Sequence, residues 1–259
     1  MEQAVYALEA QGLIRDFNGF RAVGGERGLD LRVRNGSIHA LIGPNGAGKT
    51  TCFNLLTRFI EPTAGRIHFQ GREITRLAAD AVARLGLVRS FQISAVFAQL
   101  SVFENVRLAL QRKRGHSFDW WRSDKVLQAH DGRAHQLLAE VGLDPWAFHL
   151  AGELPYGRKR ALELATTLAL EPHMLLLDEP MAGMGAEDIA QASDLIRVAA
   201  RGRTVLMVEH NLSVVADLCD RITVLAQGEV LAEGDYASVA ADERVAQAYL
   251  GRASHPTHG

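Results

Sequence analysis

The 259 residues predict an α/β fold with a helical subdomain inserted into it. Three patterns carry that expectation. The first third holds alternating apolar and polar runs, the mark of half-buried strands. The last third alternates helical stretches with short, wholly apolar runs. The middle reads almost entirely as helix.

Residues 28–34, GLDLRVR, put Leu29, Leu31 and Val33 on one face, a period of two. Asn35-Gly36 follows, a strong hairpin dipeptide. SIHALIG, 37–43, then reads as the returning strand, running into a glycine-rich turn. A helix is expected over 50–59, with Phe53, Leu56 and Ile60 near helical spacing. Residues 65–69 form a short strand closed by Gln70-Gly71. Helical patterns fill 75–85 and 103–141, broken by the basic, aromatic stretch QRKRGHSFDWWRSDK at 111–125. A helix at 158–170 precedes a strand at 174–177, whose four apolar residues suit burial on both faces. A helix at 188–200 leads to a second buried strand at 204–208. Two short strands, 222–225 and 230–232, flank Gln227-Gly228, and the closing SHPTHG is polar.

Composition narrows the class. Twenty-eight basic residues stand against 30 acidic ones, for a net charge of −2, with 47% apolar and 22% charged residues. That is ordinary globular composition and excludes a disordered chain. It also argues against a dedicated nucleic-acid binder, which needs a basic footprint. No stretch reaches the ~18 apolar residues that cross a bilayer; the most apolar, 161–177, is broken by Glu163, Glu171 and His173. The first twelve residues lack the basic start of a secretory signal. Cys52 and Cys219 make neither a disulfide framework nor a zinc pattern, and are expected to be buried thiols in a reducing compartment.

The sharpest motif is GPNGAGKT: Gly43, Pro44, Asn45, Gly46, Ala47, Gly48, Lys49 and Thr50. It fits the phosphate-binding loop G-x-x-x-x-G-K-[ST] between an expected strand and helix. Its glycines let backbone amides close on phosphate oxygens, and the helix N-terminus adds its positive end. Lys49 is then the ligand of the β- and γ-phosphates, Thr50 the Mg²⁺ ligand, and Thr51 a contact of the α-phosphate. MLLLDEP, 174–180, sets two carboxylates just after a buried strand, where open α/β sheets bind ligands. Asp178 suits a water-mediated Mg²⁺ contact, and Glu179 the role of base or water-orienting group.

In the order of these motifs, over about 5–251, the chain resembles the nucleotide-binding subunits of ATP-binding cassette (ABC) transporters. It is most similar to the branched-chain amino-acid import ATPases. The resemblance implies a P-loop cassette with a mixed sheet core (5–92 and 158–251), an antiparallel β subdomain, a helical subdomain (about 93–157) and a tail at 252–259. It assigns adenine stacking to Phe17, and water and Mg²⁺ orientation to Gln92 in VRSFQ. The switch histidine becomes His210 in VEHN, beside Lys49 and Glu179 as catalytic groups. The signature corresponds to LPYGRKR, so Tyr156, Gly157 and Arg158 face the nucleotide of a second cassette. Here Pro155 replaces the usual serine, and MAGMG, 181–185, lacks the usual aspartate. Both departures fit the same subgroup. Arg158 is a candidate to hold phosphate charge across the dimer, the alternative being a solvated basic turn facing acidic groups.

The implied cofactors are ATP and Mg²⁺. The implied partners are permease subunits, a second ATPase subunit and, indirectly, a periplasmic solute-binding protein, at the cytoplasmic face of a bacterial inner membrane. The implied cargo is branched-chain amino acids, with urea, short amides or aromatic acids as rivals. Alternatives are a soluble ABC ATPase outside transport, or a regulatory subunit with weak hydrolysis.

Overall fold

The computed structural model describes residues 5–90, 96–112 and 130–250. Gln92, most of the 111–125 stretch and the 252–259 tail lie outside them. The chain divides into two units. One comprises 1–89, 174–180 and 202–259, the other 90–173 and 181–201.

The first unit contains two sheets. β1 (Tyr6–Phe17) pairs antiparallel with β2 (Phe20–Val23), β3 (Leu29–Arg34) and β5 (Ala64–Phe69), and β6 (Arg72–Glu73) extends the sheet beyond β5. The second sheet runs β11-β10-β4-β9-β8-β7. Its members are β4 (Ile38–Ile42), β7 (Leu87–Ser90), β8 (Met174–Asp178), β9 (Thr204–Val208), β10 (Arg221–Ala226) and β11 (Glu229–Gly234). β8, β9, β4 and β10 pair in parallel, so the carboxyl ends of β4, β8 and β9 share one edge. Helix α1 (Lys49–Leu56) buries Cys52, Phe53, Leu55 and Leu56 in a core shared with Leu8 and Leu31 of one sheet and Leu41, Leu176 and Leu206 of the other.

The Asn35-Gly36 hairpin is corrected. The turn forms, with Gly36 at φ 72, but the strands it joins do not pair. β3 alternates buried and exposed residues and edges the antiparallel sheet beside β1. Residues 39–42 of β4 are all buried, which demands a central place, and β4 goes between β9 and β10. Turn propensity is local; two-sided burial decides the pairing. The Gly36 amide instead donates to the Thr204 hydroxyl at 2.9 Å.

α1 also ends before 59. Arg58 turns left-handed (φ 60) and donates from Nε to the Leu77 carbonyl and from Nη1 to that of Ile60, at 3.1 and 3.3 Å. Those bonds require the chain to turn back. Of 75–85, only α2 (Ala79–Arg84) is helical. Cys52 is buried as expected, whereas Cys219 is only half-buried.

The second unit holds α3 (Val102–Arg112), α4 (Asp131–Glu140), α5 (Tyr156–Leu168) and α6 (Ala186–Ala200). α5 starts two residues before the expected 158, because Pro155, extended at ψ 158, serves as its N-cap. Three helices close the first unit: α7 (Leu212–Leu218), α8 (Tyr236–Ala240) and α9 (Glu243–Leu250).

Candidate nucleotide site

The loop 43–48 leaves the buried end of β4 and enters α1. Gly43, at φ 149, has no room for a side chain: a Cβ would stand 2.1 Å from the Leu225 carbonyl. Gly48, at φ 98, would meet the Ala22 carbonyl at 2.7 Å. Both glycines are therefore dictated by β10 and β2 packing behind the loop. The Gly228 amide donates to the Ala47 carbonyl at 2.9 Å, tying the loop to the β10–β11 turn. Burial pushes the Tyr249 phenol of α9 up, and the Gly43 backbone of the same loop opposes that shift.

Lys49 is the first residue of α1 and is 6% exposed. Its Nζ donates to the Gly43 and Pro44 carbonyls at 2.7 and 3.0 Å, which curls the ammonium over the loop. Gly48 caps α1 without a side-chain hydrogen bond. A glycine cap brings no side chain to the N-terminal turn of α1, the end of a helix that favours anions. Thr50 is exposed on that turn and Thr51 half-buried.

Asp178 ends β8. Its Oδ2 is held by Arg89 Nη2 from β7, both side chains being about one-tenth exposed. Arg89 Nη1 donates to Asn54 Oδ1 of α1 at 2.5 Å, and the guanidinium also lies over Phe53 and Phe59. One cation thus links the acidic strand end to the helix that follows the phosphate loop. Thr50 and Asp178 offer only oxygen donors, the chemistry that Mg²⁺ selects.

Glu179 is left-handed at φ 49, an uncommon conformation outside glycine. Its amide donates to the Val208 carbonyl of β9 at 2.9 Å. Its Oε1 lies 2.8 Å from His210 Nε2. Glu209, buried between them in sequence, accepts the His210 and Asn211 amides at 2.8 and 3.0 Å on one oxygen. Asn211 then caps α7 through the Ser213 and Val214 amides. The predicted Glu179 and His210 therefore meet.

Phe17 ends β1, 40% exposed, with the Arg15 guanidinium stacked 4.4 Å from its ring centre. In the second unit, the Arg158 guanidinium lies 3.8 Å from the centre of a Trp146 ring, a cation–π contact. The exposed Tyr156 accepts two hydrogen bonds from Arg160, which also pairs with Glu163. A Cβ on Gly157 would stand 3.0 Å from Gln191 Oε1, so glycine spares that approach.

Sequence reasoning missed Arg89, Asn54, Glu209 and Trp146. Arg89 offered a faint signal: a lone cation in the apolar run preceding Gln92.

The ABC transporter family model matches residues 27–182, and a branched-chain amino acid ATP-binding cassette transporter model matches 229–255. The chain is 38% identical to the high-affinity branched-chain amino acid transport ATP-binding protein BraF of Pseudomonas aeruginosa, over 95% of this chain and 98% of that one. It is 36% identical to LivG of Escherichia coli K12, which carries the same description, with the same coverage. Among solved structures it resembles the ADP conformation of MJ1267, an ATP-binding cassette of an ABC transporter. The TM-score is 0.82 at 26% identity, covering 96% of this chain and all of that one.

Proposed function

Since the chain belongs to the ATP-binding cassette (ABC) transporter family, we propose that it is the ATP-hydrolysing subunit of an importer for branched-chain amino acids. The Glu179–His210 hydrogen bond, at the strand edge that carries Asp178, is the observation that carries the catalytic half of this reading. The cargo rests on the relatives, which are branched-chain amino acid transport proteins, and on the match of 229–255.

The loop amides of 43–48 and the Lys49 ammonium bind the triphosphate and stabilise charge on the transferred phosphoryl group. Phe17 stacks on the adenine. Thr50, Gln92 and Asp178 would hold Mg²⁺, which would supply positive charge to offset that of the phosphates. Glu179 accepts the proton of the attacking water. His210 fixes that carboxylate and reaches the γ-phosphate. Tyr156, Gly157 and Arg158 serve the nucleotide of a second cassette, so that ATP joins two subunits. The chain works with permease subunits at the cytoplasmic face of a bacterial inner membrane, and a periplasmic solute-binding protein supplies the amino acid. The described residues contain no helix long and apolar enough to cross a membrane, in keeping with a separate permease.

The test is uptake of labelled leucine, isoleucine and valine by cells lacking and regaining this chain, with ATP turnover by the membrane complex it copurifies with. Restored uptake and turnover, both abolished by Lys49→Ala, support the reading. Turnover without uptake of any of the three overturns the cargo. Copurification with ribosomes or DNA and no permease overturns transport.

A further inference from the structure

The switch histidine sits on a short segment between β9 and α7, and a segment of that kind needs something to hold its backbone. Glu209 does so. It is 3% exposed, just past the end of β9, one of the two central strands of the six-stranded sheet, and its Oε2 accepts two successive amides, those of His210 and Asn211. A carboxylate receiving two backbone N–H groups fixes the direction of both peptide planes. His210 hangs from the first of those planes.

The neighbouring bonds close a loop around it. The Val208 carbonyl, just before Glu209, takes the Glu179 amide at 2.9 Å, while the His210 imidazole meets the Glu179 carboxylate at 2.8 Å. Asn211, just after, is anchored as the cap of α7. Glu179 and His210 are thus joined twice, through backbone at Val208 and through side chains. The orientation of the peptide between those two joints is set by Glu209.

We infer that Glu209 is a positioning residue for the reaction: its carboxylate holds the 209–211 backbone so that His210 Nε2 reaches Glu179. It acts through that backbone. The inference rests on the ATPase reading above for its effect on turnover, but the geometric part stands without it.

The expectation follows from the acceptor chemistry. Glutamine keeps one carbonyl oxygen at the same reach, and one oxygen takes both amides. Glu209→Gln therefore retains most of the function. Glu209→Asp keeps the charge but withdraws the acceptor by one methylene, and Glu209→Ala removes it.

The experiment uses the full chain labelled with ¹⁵N-histidine for the imidazole signal of His210, and the membrane complex for turnover. In the Asp and Ala variants the Nε2 resonance moves toward that of a solvated imidazole. ATP turnover falls at least tenfold, with the KM for ATP within about threefold of wild type. Glu209→Gln leaves the resonance in place and keeps at least a third of the turnover. An unmoved resonance in both Asp and Ala variants overturns the inference, as does a Gln variant no better than Ala. If Ala does not fold, the Asp and Gln pair decides. A wild-type complex that hydrolyses no ATP defeats the ATPase reading instead, and the imidazole signal still tests Glu209.

Discussion

The Nε2 of His210 stands 2.8 Å from Oε1 of Glu179, although 31 residues separate them. The contact follows from the sheet: β8 and β9 are parallel neighbours with Asp178 opposite Val208, so each partner lies just past the end of its strand. An imidazole on that oxygen leaves the other carboxylate oxygen for a water. Glu179→Gln keeps the shape and an acceptor but removes the base. It is expected to bind ATP within about threefold of wild type and to lose at least a hundredfold in kcat, within the usual range of a general base. Single-turnover hydrolysis with a fluorescent ATP analogue measures both. Wild-type hydrolysis by the variant would remove Glu179 as the base.

The Arg158 guanidinium lies over a Trp146 ring, a contact that fixes it by its face and leaves its N–H groups to donate. Two consequences separate this arrangement from a solvated basic turn, which predicts no change. Arg158→Ala should weaken ATP-driven dimerisation at least tenfold. Trp146→Leu, which removes the platform and keeps the charge, should weaken it by a smaller factor. Sedimentation with ATP, in the Glu179→Gln background to stop turnover, reads both. Unchanged dimerisation in Arg158→Ala would leave the arginine as surface charge only.

What the sequence disclosed, and what it hid, divides by the distance over which the chemistry is written. The phosphate loop was legible because eight consecutive residues carry it, and the structure returns Lys49 curled onto Gly43 and Pro44. The buried strands were legible because residues 174–177 and 205–208 are apolar without alternation. Asn35-Gly36 misled because a turn says nothing of which sheet receives the outgoing strand. Arg89 stayed hidden because its partners, Asp178 and Asn54, are 89 and 35 positions away and meet it only through the order of β7 and β8 in the sheet.

Arg89 and Asp178 form a largely buried ion pair, with side chains 12% and 11% exposed. Removing one charge strands the other away from water, which costs far more than losing a surface pair. Arg89→Met keeps bulk against Phe53 and Phe59 and should destabilise folding by about 3 kcal/mol. The pair of Arg84 with Asp80, 71% and 66% exposed, is the internal comparison. Arg84→Met should cost no more than about 0.5 kcal/mol. Urea unfolding of both variants reads the difference, and equal losses would show that burial of the Arg89 pair has no energetic weight.

His39 provides a pH test within β4. Its side chain is fully buried, and Nε2 lies 2.8 Å from Thr223 Oγ1. That hydroxyl spends its only hydrogen on Glu233 Oε2 at 3.0 Å, so His39 Nε2 must be the donor and Nδ1 the bare nitrogen. Nδ1 is buried without a hydrogen-bond partner, and a second proton there would have no acceptor. Burial accordingly lowers this imidazole from 6.5 to about 4, with Arg221 adding to the drop and Glu233 opposing it. The unfolded chain binds the proton first on acidification, so stability falls as pH drops below 6.5, and the loss is complete once pH passes below about 4. The loss amounts to roughly 3 kcal/mol at 1.36 kcal/mol per unit. His39→Gln cannot titrate, so its unfolding free energy should fall less steeply than wild type between pH 6.5 and 4. Parallel curves for the two proteins would mean that His39 accepts its proton in the folded state as readily as in the unfolded one.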